Sequence, residues 1–105
     1  MITIHYQVIK LSEELSTIHD QWTPKFIGEM NDYQIKLVKI AGEFEWHVHE
    51  ETDKVFFVIE GEMIIDFRDS KVKIYKDEMI VIPKGIEIKP SAIKECHIML
   101  MEPKA

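Results

Sequence analysis

Positive charge is scarce in this chain. Its 105 residues carry 19 Asp and Glu against 12 Lys and a single Arg, Arg68, and the net charge is −6. Sequence-independent nucleic-acid binding needs clustered Lys and Arg, so this balance argues against a nucleic-acid partner. Cysteine is nearly absent as well. Cys96 stands alone, which excludes an intrachain disulfide and leads us to expect a reducing compartment. No stretch approaches the ~18 apolar residues of a membrane-spanning helix. Met1-Ile2-Thr3-Ile4-His5-Tyr6 lacks the basic and apolar segments of a signal peptide. The expectation is a soluble, cytoplasmic protein with no membrane partner. Apolar residues make up 46% of the chain, enough for one core, and no shift in composition suggests a second.

Helical periodicity occurs once. Leu11, Leu15 and Ile18 fall on one face, predicting a helix from Leu11 to His19. Ser12 is the expected cap, Glu13 and Glu14 suit the positive end of the dipole, and Thr23-Pro24 stops the pattern. From Lys25 onward the chain reads as short strands between turns. They cover 25–30, 33–40, 44–49, 54–59, 62–68, 71–75, 79–82, 86–88 and 95–101. In the fifth, Met63, Ile65 and Phe67 share one face and Glu62, Asp66 and Arg68 the other. Lys71, Lys73 and Lys76 suit a solvated sheet edge, where charge discourages unwanted pairing. This pattern predicts an all-β sandwich or barrel: residues 1–24 form a segment with a short helix packed on it, and 25–105 form the barrel, within one domain.

The segment Gly42-Glu43-Phe44-Glu45-Trp46-His47-Val48-His49 is the most informative stretch. Side chains alternate along a strand, so His47 and His49 face the same way with Cα atoms roughly 6.5 Å apart. Both imidazoles can then converge on one ion or ligand. In an arbitrary strand such a pair more often serves packing or the surface. His5, His19 and His97 read as structural or solvated, and Cys96 as a small buried residue with nothing nearby to lower its pKa.

These residues resemble the cupin family of small β-barrels. Gly42, His47, His49 and Gly61 match its first motif, Val55-Phe56-Phe57-Val58-Ile59-Glu60-Gly61-Glu62 resembles the strand within it, and Pro83-Lys84-Gly85 matches the second motif. The resemblance covers roughly Tyr33 to Glu102 and implies a double-stranded β-helix, or jelly-roll barrel, of the small stand-alone kind. It implies that His47 and His49 line the barrel interior. It also implies homodimerisation, since related proteins commonly pair through sheet edges and faces.

Three positions depart from the pattern. Lys54 stands where the family has a Glu ligand, Ile88 where it has the last His ligand, and Asp77 where it has the Gly that opens the second motif. Only His47 and His49 remain of four ligands. A first-row metal normally needs three protein ligands, so a divalent Zn, Fe, Mn or Ni ion is expected to bind weakly if at all. An ammonium ~6 Å from a dication opposes it by roughly 5 kcal/mol at an effective dielectric near 20. A buried Lys54 can deprotonate and then act as ligand or base. Asp53, Glu51, His97 or Cys96 would join the site only through a bulge or a favourable facing.

The expected ligand-binding set is therefore His47, His49, Lys54 and Ile88, with Trp46, Phe56 and Val58 close by, and with His47 and His49 as a partial metal site. Lys54 supplies a positive anchor and Ile88 makes the pocket more apolar. This suits a small, mixed or anionic molecule such as a carboxylate. The alternatives are a structural or regulatory module, a metal-dependent oxygenase, isomerase or epimerase using His47 and His49, and metal-free acid–base catalysis by His47, His49 and Lys54.

Overall fold

The computed structural model describes residues 6–104, so His5 lies outside the described residues. The elements in chain order are α1 (Leu11–Ser16), β1 (Lys25–Met30), β2 (Tyr33–Glu43), β3 (His47–Val48), β4 (Lys54–Glu60), β5 (Glu62–Asp66), β6 (Lys71–Tyr75), β7 (Met79–Ile82) and β8 (Glu87–Pro103). No helix among the described residues is long and apolar enough to cross a membrane.

The helix is shorter than its apolar spacing predicts, and Ser12 does not cap it. Lys10 precedes the first turn without a side-chain cap, and its carbonyl accepts from the N–H groups of Glu13 and Glu14 at 3.1 Å each. At the other end, the Ser16 hydroxyl donates to the Glu13 carbonyl at 2.6 Å and that of Thr17 to Glu14 at 2.9 Å. Hydroxyls bonded back to the preceding turn compete with helix continuation, and the chain leaves the helix there. Ile18 stays buried even so, packing with Leu15 and Leu37 between α1 and β2.

Strand β8 organises the fold. Its first part pairs with β3, β5 and the end of β2, and its last part lies between β2 and β4. The sheet order β1-β2-β8-β4-β7 continues through β8 to β5 and β6. The two strands expected at 86–88 and 95–101 are thus one strand of 17 residues. Pro90 does not break it: it stays in register opposite Ile65 of β5, and its carbonyl accepts from Phe44 N–H at 3.0 Å. The strand expected over 44–49 shrinks to two paired residues, His47 opposite Ile88 and Val48 opposite Glu87. Strand β2 instead runs on to Glu43 past an irregularity between Ile40 and Gly42.

Alternation decides what is inside. Val38, Phe56, Val58, Met63, Ile65, Ile88, Ile98 and Leu100 point into one apolar core, and Phe67 packs against it. Among the described residues strand β6 pairs with β5 alone, and its Lys73 meets Glu62 at 3.6 Å on that edge. Two turn positions show the backbone logic of the family motifs. Gly61 has φ +88° and a Cβ there would meet the Cys96 Cα and the Glu95 carbonyl at 3.2 Å, so only glycine fits. Asp77 also lies in the left-handed region, at φ +68°, where Asp is among the few other residues tolerated.

Candidate functional site

The inner face of β4 presents Lys54, Phe56 and Val58 in turn. Because Val55 pairs with Met101, Lys54 lies beside Glu102 of β8 on that face. Lys54 Nζ sits 3.7 Å from Glu102 Oε2, with the two side chains 11% and 20% exposed. It also lies 5.1 Å from the centre of the Phe56 ring. Lys54 and Phe56 form one wall of a cavity of about 110 Å³. Val38, Ile98 and Leu100 supply its aliphatic lining, Trp22 and Phe44 an aromatic one, and His47 its second polar group.

The aromatic wall is held from outside the strands. Trp22 lies between α1 and β1, with φ 61°. Its backbone N–H donates to the Lys39 carbonyl at 2.8 Å and its indole N–H to the Ala41 carbonyl at 2.9 Å, both on β2. Its ring stacks on Phe44 at 4.9 Å between centroids and 21° between planes. Phe44 in turn meets His47 edge-on at 5.5 Å. The His47 and His49 rings are 5.5 Å apart and nearly perpendicular, at 86°.

The titratable groups are set by this enclosure. His47 Nδ1 lies 3.2 Å from the Glu45 carbonyl, which accepts from it. Burial lowers the pKa of His49, the positive charge of Lys54 adds to that, and Glu102 partly opposes it. Burial also lowers the pKa of Lys54, and the attraction of Glu102 does not cancel the effect.

The expected site residues fall in several places. His47 and Lys54 border the same cavity, and His49 lies beside His47. Ile88 is the cross-strand neighbour of His47, but it is 1% exposed and belongs to the main core rather than the cavity lining. Val58 is likewise core. Trp46 is not at the cavity: Arg68 lies 3.8 Å over its ring and Lys89 5.7 Å away. Trp22 and Phe44 take its place. Phe44 could not be placed by alternation because the strand is interrupted there, and Trp22 carries no periodic signal. Asp53 Oδ1 accepts from Lys84 N–H at 2.9 Å and so braces the Pro83-Lys84-Gly85 turn. Cys96 is fully buried and burial pushes its thiol up to about 11, while His97 pairs with Glu95 at 3.1 Å.

These donors do not fit a resident first-row metal. His47 and His49 supply two nitrogens, and among the described residues no three His, Cys, Asp or Glu side chains are grouped to hold an ion. The cavity's other charged group is an ammonium, which repels a dication.

Comparison with known proteins agrees with this fold. The family model described as the Cupin domain matches residues 35–100. The protein YdbB of Bacillus subtilis (strain 168), described as uncharacterized, is 34% identical over 79 residues, covering 74% of this chain and 67% of that protein. A cupin-2 domain protein from Shewanella frigidimarina, solved by crystallography, shares 52% identity and superposes with a TM-score of 0.91 over 92% of this chain and 95% of that one. A crystal structure from Neisseria meningitidis shares 35% identity, with a TM-score of 0.84 over 93% of this chain and all (100%) of that one. With its β2–β8 framework spanning both motifs, the chain belongs to the cupin family.

Proposed function

We propose that this cupin binds a small, mostly apolar molecule bearing one anionic group, without a metal ion. The observation that carries the reading is Lys54, an amine on the wall of a cavity lined, apart from His47, by Trp22, Phe44, Phe56 and aliphatic side chains. A cavity of roughly 150 Å³ with apolar walls takes one benzene ring, and 110 Å³ with an open side is close to that size. The ring of the ligand lies against the aromatics and its carboxylate shares the Lys54 ammonium with Glu102. The added negative charge raises the pKa of His49, which takes up a proton and balances the site.

Calorimetric titration with benzoate tests the reading. At about 0.5 kcal/mol per heavy atom, a ligand of this size binds with a Kd on the order of 0.5 mM. Lys54→Met is expected to weaken binding at least ~10-fold, the effect of removing one charge-assisted hydrogen bond. Equal binding by wild type and Lys54→Met would refute the assignment. A metal-dependent enzyme is the second reading, and the spacing of the His47 and His49 rings favours it.

We also propose that two copies associate. On the outer face of the sheet, Met30, Tyr33, Ile35, Val55, Val81 and Met101, with Asp53 and Lys54 at one end, border one groove of about 300 Å³ that no element covers among the described residues. The same chain carries an exposed apolar segment: Tyr6 and Val8 are 92% and 88% exposed, while Ile9 lies over Gly28 of β1. The segment of one copy suits the groove of the other, which would bury both.

A further inference from the structure

We propose that Lys54 acts as a nucleophile and forms a reversible imine with a small apolar aldehyde or ketone held in the same cavity. The inference rests on the reading above insofar as the cavity must admit small molecules. Its own support is geometric. The amine is at the end of a largely buried side chain, borders the cavity beside Phe56, and has a carboxylate 3.7 Å away. No other lysine borders this cavity. An amine in such surroundings pays a desolvation cost when charged, and the lowered pKa of Lys54 is in keeping with that.

The step balances without a redox partner. Glu102 takes one proton from the Lys54 ammonium and frees the nitrogen lone pair. That pair forms a bond to the carbonyl carbon, and the C=O π electrons move to oxygen. A proton shifts from nitrogen to this oxygen and gives the carbinolamine. Glu102 returns its proton to the hydroxyl group, water departs, and the nitrogen lone pair closes the C=N bond. The net change is one ammonium and one carbonyl converted to one protonated imine and one water, with Glu102 restored as the carboxylate. The aromatic walls hold the apolar part of the substrate and limit the water that would reverse the reaction.

Reductive trapping tests the proposal. The whole protein is incubated with benzaldehyde and cyanoborohydride near neutral pH, and alkylation at each lysine is followed by peptide mass spectrometry. Lys54 is expected to be alkylated at least tenfold faster than the exposed Lys71 and Lys94 in the same molecule, with its rate rising at lower pH than theirs. Excess benzoate should slow Lys54 and leave the other two unchanged. Glu102→Gln should slow Lys54 alkylation at neutral pH, and circular dichroism checks that this variant is folded. Alkylation of Lys54 no faster than of Lys71 and Lys94 overturns the proposal. If benzoate still binds in that case, the anion-binding reading survives alone. If Lys54 is trapped quickly but benzoate neither binds nor protects, the imine stands and the anion reading falls.

Discussion

The two faces of the same four strands differ in a way that separates packing from function. Outward, Ile35, Met101, Val55 and Val81 form a row in register across β2, β8, β4 and β7, apolar from end to end. Inward and one residue along, the corresponding row is Gln34, Glu102, Lys54 and Ile82, with an ion pair at its centre. A shift of one position thus exchanges an apolar outer row for an ion pair that borders the cavity. A buried ion pair is a weak source of stability, because desolvation offsets its attraction. Its place on a mostly apolar wall is the feature on which the proposed ligand chemistry rests.

The largest expected effect comes from rebuilding the inner face toward the family's metal pattern. Ile88 faces the same side as His47, so Lys54→Glu with Ile88→His adds a carboxylate and an imidazole to the existing pair. Zinc affinity measured by competition with a chromophoric chelator should rise at least ~100-fold over the parent, since four donors replace two. Equal affinities would show that these four positions do not share a site.

Breaking the outer row comes next. Val81→Lys places a charge in the groove. If a second copy covers that groove, light scattering should show a dimer for the parent and a monomer for the variant, because burying a further ammonium in the groove that Lys54 already borders costs its desolvation. A parent that is monomeric at high concentration contradicts the proposed pairing.

Removing one half of the inner ion pair has a smaller effect. Lys54→Met leaves the Glu102 carboxylate largely enclosed without its partner, at a cost of ~1–3 kcal/mol in urea unfolding. Adding Glu102→Leu should recover most of that loss, and a double-mutant cycle measures the coupling directly. Additive losses would mean that the two groups do not interact.

The smallest effect is on pH dependence. The folded pKa of His49 lies below its ordinary value of 6.5, chiefly through burial. The unfolded chain therefore binds the proton first as pH falls, and stability declines from about 6.5 downward. His49→Gln should lose less of its Tm than wild type between about pH 7.5 and about pH 5.5. An identical loss would mean that His49 titrates as if unfolded.

Much of the fold was legible because it depends on local pattern. The bounds of β1, β6 and β7 follow from apolar runs ended by turn residues, and Met63 and Ile65 are buried as their alternation predicts. The cupin resemblance also put Lys54 inside, at the position of the family's Glu ligand. The rest of the site depends on long-range register. Nothing near Glu102 indicates that it faces Lys54, since that follows only from Val55 pairing with Met101. Trp22 reaches the cavity through a left-handed backbone position and hydrogen bonds to β2, neither of which has a spacing to read. Polar Ser91 and Lys94 lie between the two strands read at 86–88 and 95–101, and they were not recognisable as the middle of β8 without the strands that flank it.

One titration tests the central claim most directly: benzoate against the protein at equal concentration, once with excess EDTA and once with added zinc. A cavity that uses the Lys54 amine and its aromatic walls predicts the same sub-millimolar order of affinity in both, consistent with one ring and one charge contact. Binding that disappears in EDTA and returns with zinc would contradict it and make His47 and His49 the heart of a metal centre.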